Sequence, residues 1–418
     1  MTSAPNRLQP LNGNRWLLCL AVSVLFAACS PKLRPVVVQP RQTEPANPVV
    51  KQPVKKAEPL KPAAPVVSTI SLLLPFGTDH LAIGQSYSSV SLREADIAIA
   101  YYQGFRLALD SLTAQGYNYK LQVYDTHSDK SQARALGYNQ AVRASDLIVG
   151  PVFPEDMRAF LGANSSPKQP IVSPLSPAAP STLHSTEMIT MMPPLEYHAW
   201  AAAKYIKDKI DPEKVFILRS GFSEENEYVL PFKKAIDSLG KKHIQVVSIT
   251  VMHGSLAPIM AQLSPTDKNV FIVPATDQHF LTVTLRALDS LRANYPVTVF
   301  GHPNWVNFTF LKADLLQRLD THITSSDHID YKAPNIMAFI RRYRETYRTD
   351  ATAFAIKGYD EGLYLGEQLA AGNVKNLAQA HFNGLHNDFI FQKKTGMGWI
   401  NTHVDVYKYA NFELKKVE

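Results

Sequence analysis

The strongest constraint on the fold is an alternation of short apolar runs with longer segments of helical period, repeated along residues 68–418. Residues 69–74 form the first apolar run, which predicts a buried strand that stops at Pro75. Residues 95–115 then carry apolar side chains at helical spacing, and Gly116 is a typical helix stop. Strands that alternate with helices in this way predict an α/β fold of βαβ units around parallel sheets.

The length of this region indicates more than one core. Its 351 residues are too many for one small hydrophobic core and favour two lobes. Further strands are predicted at residues 119–124, 146–149, 215–218, 244–249, 269–273 and 297–300, and further helices at 131–144, 230–239 and 280–293. A proline-containing stretch at 189–194 lies between the two halves and predicts a crossing from one lobe to the other.

The first 28 residues have the features of an export signal. Arg7 and Arg15 precede an apolar run of 13 residues, which is too short to span a bilayer comfortably. The run ends in small residues before Cys29, and this arrangement resembles the lipobox of bacterial lipoproteins, which implies that Cys29 is acylated. The only other cysteine is Cys19, inside the signal, so no disulfide can form after cleavage.

Residues 29–67 predict a tether without a core. They contain 9 prolines and no glycine, a composition that favours extended, disordered chain. They also carry a net charge of +5, and the signal carries +2, so the chain's total of +7 leaves the folded region neutral. Because the folded region shows neither a basic face nor a recognisable motif, we expect no nucleic-acid partner. The lipid anchor would hold the chain at the periplasmic face of the cell envelope, on either the inner or the outer membrane.

Several segments of the folded region together resemble the type I periplasmic binding proteins, specifically the leucine/isoleucine/valine-binding family whose members serve ABC transporters. The similar segments are residues 104–112 with Gly116, 123–125, 147–151, 171–176 and 354–360. The resemblance implies two Rossmann-like lobes with parallel sheets, joined by three hinge crossings around a ligand cleft. Carried onto this chain, it implies a first lobe at 68–192 plus 325–385 and a second at 193–324 plus 386–418.

Ligand-binding positions are expected where strands end, because open α/β sheets bind ligands beyond the carboxyl ends of their strands. In the first lobe these positions are Phe76, Gly77, Gly150, Pro151, Ser173, Leu175 and Ser176. In the second lobe they are Ser220, Gly221, Ala275, Thr276, Asn304 and Trp305, with Trp305 as an aromatic wall. Each position has an alternative interpretation as an ordinary turn or helix-cap residue.

Two positions depart from the family pattern. The serine that amino-acid binders carry after the Gly-Pro turn is Pro154 here, which offers neither a hydroxyl nor an N–H group. In the second lobe, the turn at residues 220–228 is acidic and longer than the family's. The chain also resembles the outer-membrane lipoproteins that activate peptidoglycan synthases, which are tethered and act by contact.

Two functions therefore stay open from the sequence. The first is a lipid-anchored periplasmic binding protein that holds an amino-acid-like or peptide-like solute, with an ABC permease as its partner. The second is a ligand-free scaffold or activator that contacts a cell-wall synthase. We expect no catalytic residues, metal or cofactor, since the motifs of nucleophilic hydrolases, phosphate-binding loops and zinc proteases are missing from the sequence.

Overall fold

The computed structural model describes residues 67–78, 88–164, 167–177, 183, 185–240, 243–378 and 381–418. By its internal contacts the chain divides into two units, Met1–Ala63 and Ala64–Glu418, and every described residue belongs to the second. The predicted signal, Cys29 and nearly all of the predicted tether lie outside the described residues. No helix in the described ranges is long and apolar enough to cross a membrane.

Fifteen strands run through the described residues. In chain order they are β1 (Ser68–Leu74), β2 (Tyr119–Asp125), β3 (Leu147–Val149), β4 (Ile171–Ser173), β5 (Met188–Thr190), β6 (Lys214–Arg219), β7 (Gln245–Thr250), β8 (Asn269–Val273), β9 (Val297–Gly301), β10 (His322–Ser325), β11 (His381–Asn383), β12 (Asp388–Lys393), β13 (Trp399–Asn401), β14 (Asp405–Ala410) and β15 (Glu413–Lys416).

Ten α-helices accompany them in the described part of the chain. These are α1 (Ser89–Thr113), α2 (Lys130–Tyr138), α3 (Gln140–Arg143), α4 (Pro154–Ala163), α5 (Leu195–Tyr205), α6 (Asn226–Leu239), α7 (Gln278–Leu291), α8 (Ala313–Arg318), α9 (Pro334–Tyr347) and α10 (Ala353–Ala370). The predicted single helix at residues 131–144 is two helices, because the Asn139 side chain accepts from the N–H groups of Ala141 and Val142 and starts a new helix there.

The strands pair into two sheets, one in each lobe. The first has the order β11-β12-β13-β5-β4-β3-β1-β2, and the second has the order β15-β14-β10-β9-β8-β6-β7. Within each sheet the first five strands along the chain are parallel. The later strands add mostly antiparallel pairs. This topology confirms the predicted α/β fold of two lobes built on parallel sheets.

Strand β1 shows why its last three residues are all leucine. Leu72 and Leu74 pack into a core on one face of the sheet, and Leu73 packs into another core on the opposite face. All three side chains are fully buried. A strand covered on both faces favours apolar residues at successive positions, and the one polar side chain among residues 70–74, Ser71, is buried against the Ser145 hydroxyl at 2.7 Å.

Two glycines fix the contact between α1 and α10. A Cβ atom on Gly104 would lie 1.9 Å from the carbonyl oxygen of Ala355, and one on Gly358 would lie 2.2 Å from that of Tyr101. The two backbones therefore approach too closely for any side chain at these positions. The helix α10 follows β6–β10 of the second lobe in the chain, and this contact with α1 places it in the first lobe.

The chain crosses between the lobes three times, at residues 191–194, 326–333 and 402–404. The expected last boundary, with residues 386–418 in the second lobe, is wrong. β12 and β13 belong to the first sheet, where β13 pairs with β5, and Phe389 and Phe391 pack into the first lobe's core. Burial of these aromatic side chains holds the hairpin there, and only β14 and β15 join the second lobe.

Candidate functional site

One cavity of about 660 Å³ lies where strands of the second lobe end and reaches the first lobe at Pro177. Its other described lining residues are Leu195, Ser220, Phe222, Glu224, Glu225, Glu227, Tyr228, Pro274, Thr276, Asp277, His302 and Asn304. Three of the expected ligand positions, Ser220, Thr276 and Asn304, are therefore brought together. Two other cavities, of about 570 and 840 Å³, contain none of the expected positions.

Ser220 already has a partner inside the chain. Its backbone N–H and its hydroxyl both donate to Oε1 of Glu225, at 2.9 and 2.7 Å. Glu225 is only 5% exposed and also accepts from Nε of Arg219 at 3.3 Å. The neighbouring Gly221 is exposed and has a φ of +103°, a backbone conformation that favours glycine. The end of β6 is thus stabilised by the protein's own carboxylate.

The structure corrects the expected role of Trp305. This side chain is 1% exposed and packs into the second lobe's core, so it cannot act as an aromatic wall of the cleft. Its Nε1–H donates to the carbonyl oxygen of Ala275 at 2.9 Å, and Ala275 is also buried. The ring lies so close to Gly301 that a Cβ there would be 2.2 Å from it. Neither Trp305 nor Ala275 lines the cavity.

Thr276 and Asn304 are exposed in the cavity, and His302 lies beside them. The backbone N–H of Asn304 donates to Nδ1 of His302 at 3.1 Å, so the proton of the neutral imidazole is on Nε2. Burial lowers the pKa of His302 to about 4. The imidazole is therefore neutral near pH 7 and adds no positive charge to the cavity.

Carboxylates are the residues that the sequence interpretation did not assign to the site. Glu224, Glu227 and Asp277 line the cavity, and none of them forms an ion pair within the described residues. Oδ1 of Asp277 accepts from the N–H of Phe280 at 2.7 Å and caps α7. The acidic turn at residues 220–228 was the available signal, but sequence alone did not show that it borders the cleft.

The first lobe's expected donors are also occupied from within, in this case by Asp125. Its carboxylate accepts from the backbone N–H groups of Gly77 (3.1 Å), Thr78 (2.8 Å) and His127 (2.8 Å). The Thr78 hydroxyl donates to it as well, at 2.8 Å. Burial would raise the pKa of Asp125, but these hydrogen bonds outweigh it and lower that pKa below its ordinary value.

The remaining first-lobe positions pack or bond internally. Phe76 makes an edge-to-face contact with Tyr102 at 6.1 Å, and Leu175 packs against the lobe's core. Gly150 donates its N–H to the carbonyl oxygen of Val172 at 2.8 Å and precedes Pro151 through a cis peptide bond. The buried Ser173 hydroxyl donates to the carbonyl oxygen of Ser176, itself buried, at 3.4 Å. None of these positions lines the cavity.

The arrangement gives the site a definite chemical character. Its described lining contains carboxylates and no lysine or arginine, and the strand-end donors of Gly77, Thr78 and Ser220 are already used. No three His, Cys, Asp or Glu side chains in the described ranges are placed to hold a metal ion. The site can therefore accept hydrogen bonds from a bound molecule more readily than it can donate them.

No known family model matches the sequence, and no curated protein matches it. Solved structures do share its architecture. An ABC transporter substrate-binding protein from Desulfitobacterium hafniense, in complex with Leu, has a TM-score of 0.55 and 16% identity. A protein described as a branched-chain amino acid ABC transporter from Rhodospirillum rubrum has a TM-score of 0.62 and 15% identity. Each match covers 84% of this chain and 100% of the other.

A different kind of protein shares the same architecture. The C-domain of LpoA from Haemophilus influenzae, described as a regulator of PBP1A, has a TM-score of 0.55 and 12% identity, over 84% of this chain and 100% of that one. Both resemblances expected from the sequence are thus confirmed at the level of the fold. The chain has the type I periplasmic binding-protein fold, which substrate-binding proteins share with a regulator of PBP1A.

Proposed function

We propose that this chain is a non-enzymatic, lipid-anchored protein of the cell envelope that holds a small solute between its lobes and presents it to an ABC permease. The observation that carries the proposal is the cavity of about 660 Å³ beyond the ends of β6, β8 and β9. In an α/β fold of this kind, that edge of the sheet is where ligands bind. The lipobox-like segment at Cys29 supports the anchor, and the similar solved structures are binding proteins and a regulator.

A thermal-shift screen tests this function. The full chain with Cys29→Ser, which remains unlipidated, would be heated with amino acids, amines, short peptides, cell-wall fragments and nucleosides. A ligand that binds only the folded state must raise the melting temperature, by an amount that grows with its concentration. We expect one chemical class to produce a saturable shift. If no class does, the solute-binding function is wrong.

A second function, activation of a peptidoglycan synthase by contact, is favoured by one observation in the first lobe. The donors of Gly77 and Thr78 after β1 are bonded to Asp125, so this strand end presents few free groups to a small ligand within the described residues. The similarity to the LpoA C-domain adds support. The test is the rate of glycan polymerisation by a purified synthase with and without the chain. An increase would favour activation, whereas an unchanged rate across synthases of the same cell would exclude it.

A further inference from the structure

Three unpaired carboxylates surround one cavity. Glu224, Glu227 and Asp277 are exposed, line the cavity and form no ion pairs within the described part of the chain. No lysine or arginine is found among the described lining residues. His302 does not offset this charge, because burial lowers its pKa to about 4. The negative charges of these three carboxylates add together and give the cavity a negative electrostatic potential.

A buried hydroxyl at the same cavity points independently to an occupant. Tyr228 lines the cavity but is 1% exposed, and its hydroxyl has no hydrogen-bond partner among the described residues. A buried polar group without a partner is destabilising, so such groups are rare unless a bound molecule or water satisfies them. Tyr228 stacks on Phe232 and contacts the ring of His302, so packing holds its side chain in place.

An aromatic face completes the same lining. Phe222 lines the cavity and is 60% exposed. It lies between Ser220 and Glu224 in the turn after β6. An organic cation can bind over an aromatic face while neighbouring carboxylates accept its N–H groups. The exposed ring and the unpaired acids therefore suit the same type of ligand.

Among the described residues, the donors at the end of β1 in the opposite lobe are engaged and leave no site for an anion there. The backbone donors after β1 and the hydroxyl of Thr78 already bond to Asp125. In the second lobe, both donors of Ser220 bond to Glu225. A free α-carboxylate that bound at these donors would have to displace an internal carboxylate, and at Thr276 or Asn304 it would face repulsion from the acids that line the same cavity.

We propose that the cleft selects an organic cation, an amine or guanidinium, whose binding does not require a carboxylate. Glu224, Glu227 and Asp277 accept its N–H groups, Phe222 covers its charge, and Tyr228 supplies a hydroxyl. This inference rests on the proposed solute-binding function and names the ligand class for the same site. This ligand preference would distinguish the chain from a receptor for free amino acids, whose ligands carry a carboxylate.

Matched pairs of compounds that differ by one carboxylate test the inference. Lysine and cadaverine, and arginine and agmatine, would be titrated calorimetrically into the full chain carrying Cys29→Ser. We expect cadaverine or agmatine to bind at least about tenfold more tightly than its carboxylated partner, and the affinity to fall as salt is raised, because exposed charges are screened. Tighter binding of lysine or arginine would overturn the inference.

Variants locate the binding. Glu227→Gln and Asp277→Asn should each weaken amine binding about threefold to tenfold, the range for single charge-assisted contacts at an exposed site. Asn retains the ability to cap α7. The matched control is Glu213→Gln, an exposed carboxylate before β6 at the opposite end of the same sheet, which should leave binding unchanged. Equal losses in all three variants would overturn the assignment.

The outcomes separate this inference from the function on which it rests. If amines fail but another solute class gives a saturable thermal shift, the cationic ligand is wrong and the solute-binding function stands. If neither amines nor any other class binds, both are wrong. If an amine binds and the affinity falls in Glu227→Gln and Asp277→Asn but not in Glu213→Gln, both are supported.

Discussion

The cleft-facing ends of the two sheets use carboxylates in opposite ways. In the first lobe, Asp125 accepts four hydrogen bonds from the segment after β1 and from His127, so that carboxylate has a structural role. In the second lobe, Glu225 serves the same purpose for Ser220, but Glu224, Glu227 and Asp277 line the cavity without an ion pair among the described residues, and of these three Asp277 also caps α7. Two sheets of similar topology can therefore differ at their ligand-facing ends. In one, the described backbone donors are bonded to a carboxylate of the protein; in the other, additional carboxylates line the cavity as hydrogen-bond acceptors.

The origin of each structural carboxylate also differs. Asp125 ends β2 and lies opposite Leu74 in the register of β1 and β2, so a neighbouring strand supplies the acceptor. Glu225 lies five residues after Ser220, in the short 3₁₀ turn Ser223–Glu225, so the acceptor comes from the same loop. The loop that supplies its own acceptor also carries Glu224, which is free to face the cavity.

Glu225→Ala should have the largest effect. It removes a buried acceptor from both donors of Ser220 and from Arg219, and we expect a loss of about 3 kcal/mol in the free energy of unfolding, measured by urea denaturation. Glu224→Ala, one residue away and exposed, is the control and should change stability by less than about 0.5 kcal/mol. Equal effects would remove the distinction between structural and free carboxylates in this lobe.

Asp125→Ala should cost slightly less, about 2 kcal/mol at pH 7, because the carboxylate is less completely buried and water can reach some of its donors. The pKa of Asp125 is lowered in the folded state, so its contribution is present above its unfolded pKa and is lost as pH falls through the folded pKa. The deficit of the variant should therefore shrink below about pH 4. Urea denaturation at pH 7 and pH 3.5 measures it, with exposed Asp96→Ala as the control.

Asp156→Asn should stabilise the first lobe. Burial, together with Asp129 and Glu94, raises the pKa of Asp156 to about 6, and one of its oxygens is buried without a partner among the described residues. The folded state therefore binds this proton more tightly than the unfolded state, and stability falls as pH rises from about 4 to 6.

Replacing that carboxylate should add about 1 kcal/mol to the free energy of unfolding at pH 7. This is less than the raised pKa alone would give, because the new amide also needs hydrogen-bond partners. The gain should vanish at pH 4, where the wild-type carboxyl is protonated in the folded state. Thermal melts of both proteins across this range measure the effect. A gain of equal size at both pH values would show that charge is not its cause.

Glu227→Gln should have the smallest effect on stability, less than about 0.5 kcal/mol by urea denaturation, because the side chain is exposed and forms no ion pair within the described residues. Its expected effect is on amine binding alone. A loss of 1 kcal/mol or more in the free energy of unfolding would assign it a structural role, like that of Glu225.

Sequence patterns predicted the fold well because periodicity and apolar runs are local. They also predicted that Ser220, Thr276 and Asn304 would meet, since strand ends share an edge. They could not predict that Asp125 bonds to Gly77, because that contact joins residues far apart in the chain. Trp305 was misassigned since an aromatic after a strand gives no sign of which way it packs.

The prediction that the second lobe resumes at residue 386 was wrong for a similar reason. β13 pairs with β5, more than two hundred residues earlier in the chain, and only that pairing places it in the first sheet. Antiparallel strands at the end of a chain can extend either sheet, because each sheet has an open edge. Acylation of Cys29 and the membrane anchor stay predictions, since that segment lies outside the described residues.

Ligand binding in this proposal relies on acceptors of the second lobe, because the donors of Gly77 and Thr78 in the first lobe are bonded to Asp125. Hydrogen exchange, read by mass spectrometry on the full chain with Cys29→Ser and saturating cadaverine, tests it most directly. We expect slower exchange in residues 220–228 and 274–280, with residues 74–78 and 125–127 unchanged. Slower exchange in the first-lobe segments alone would contradict it.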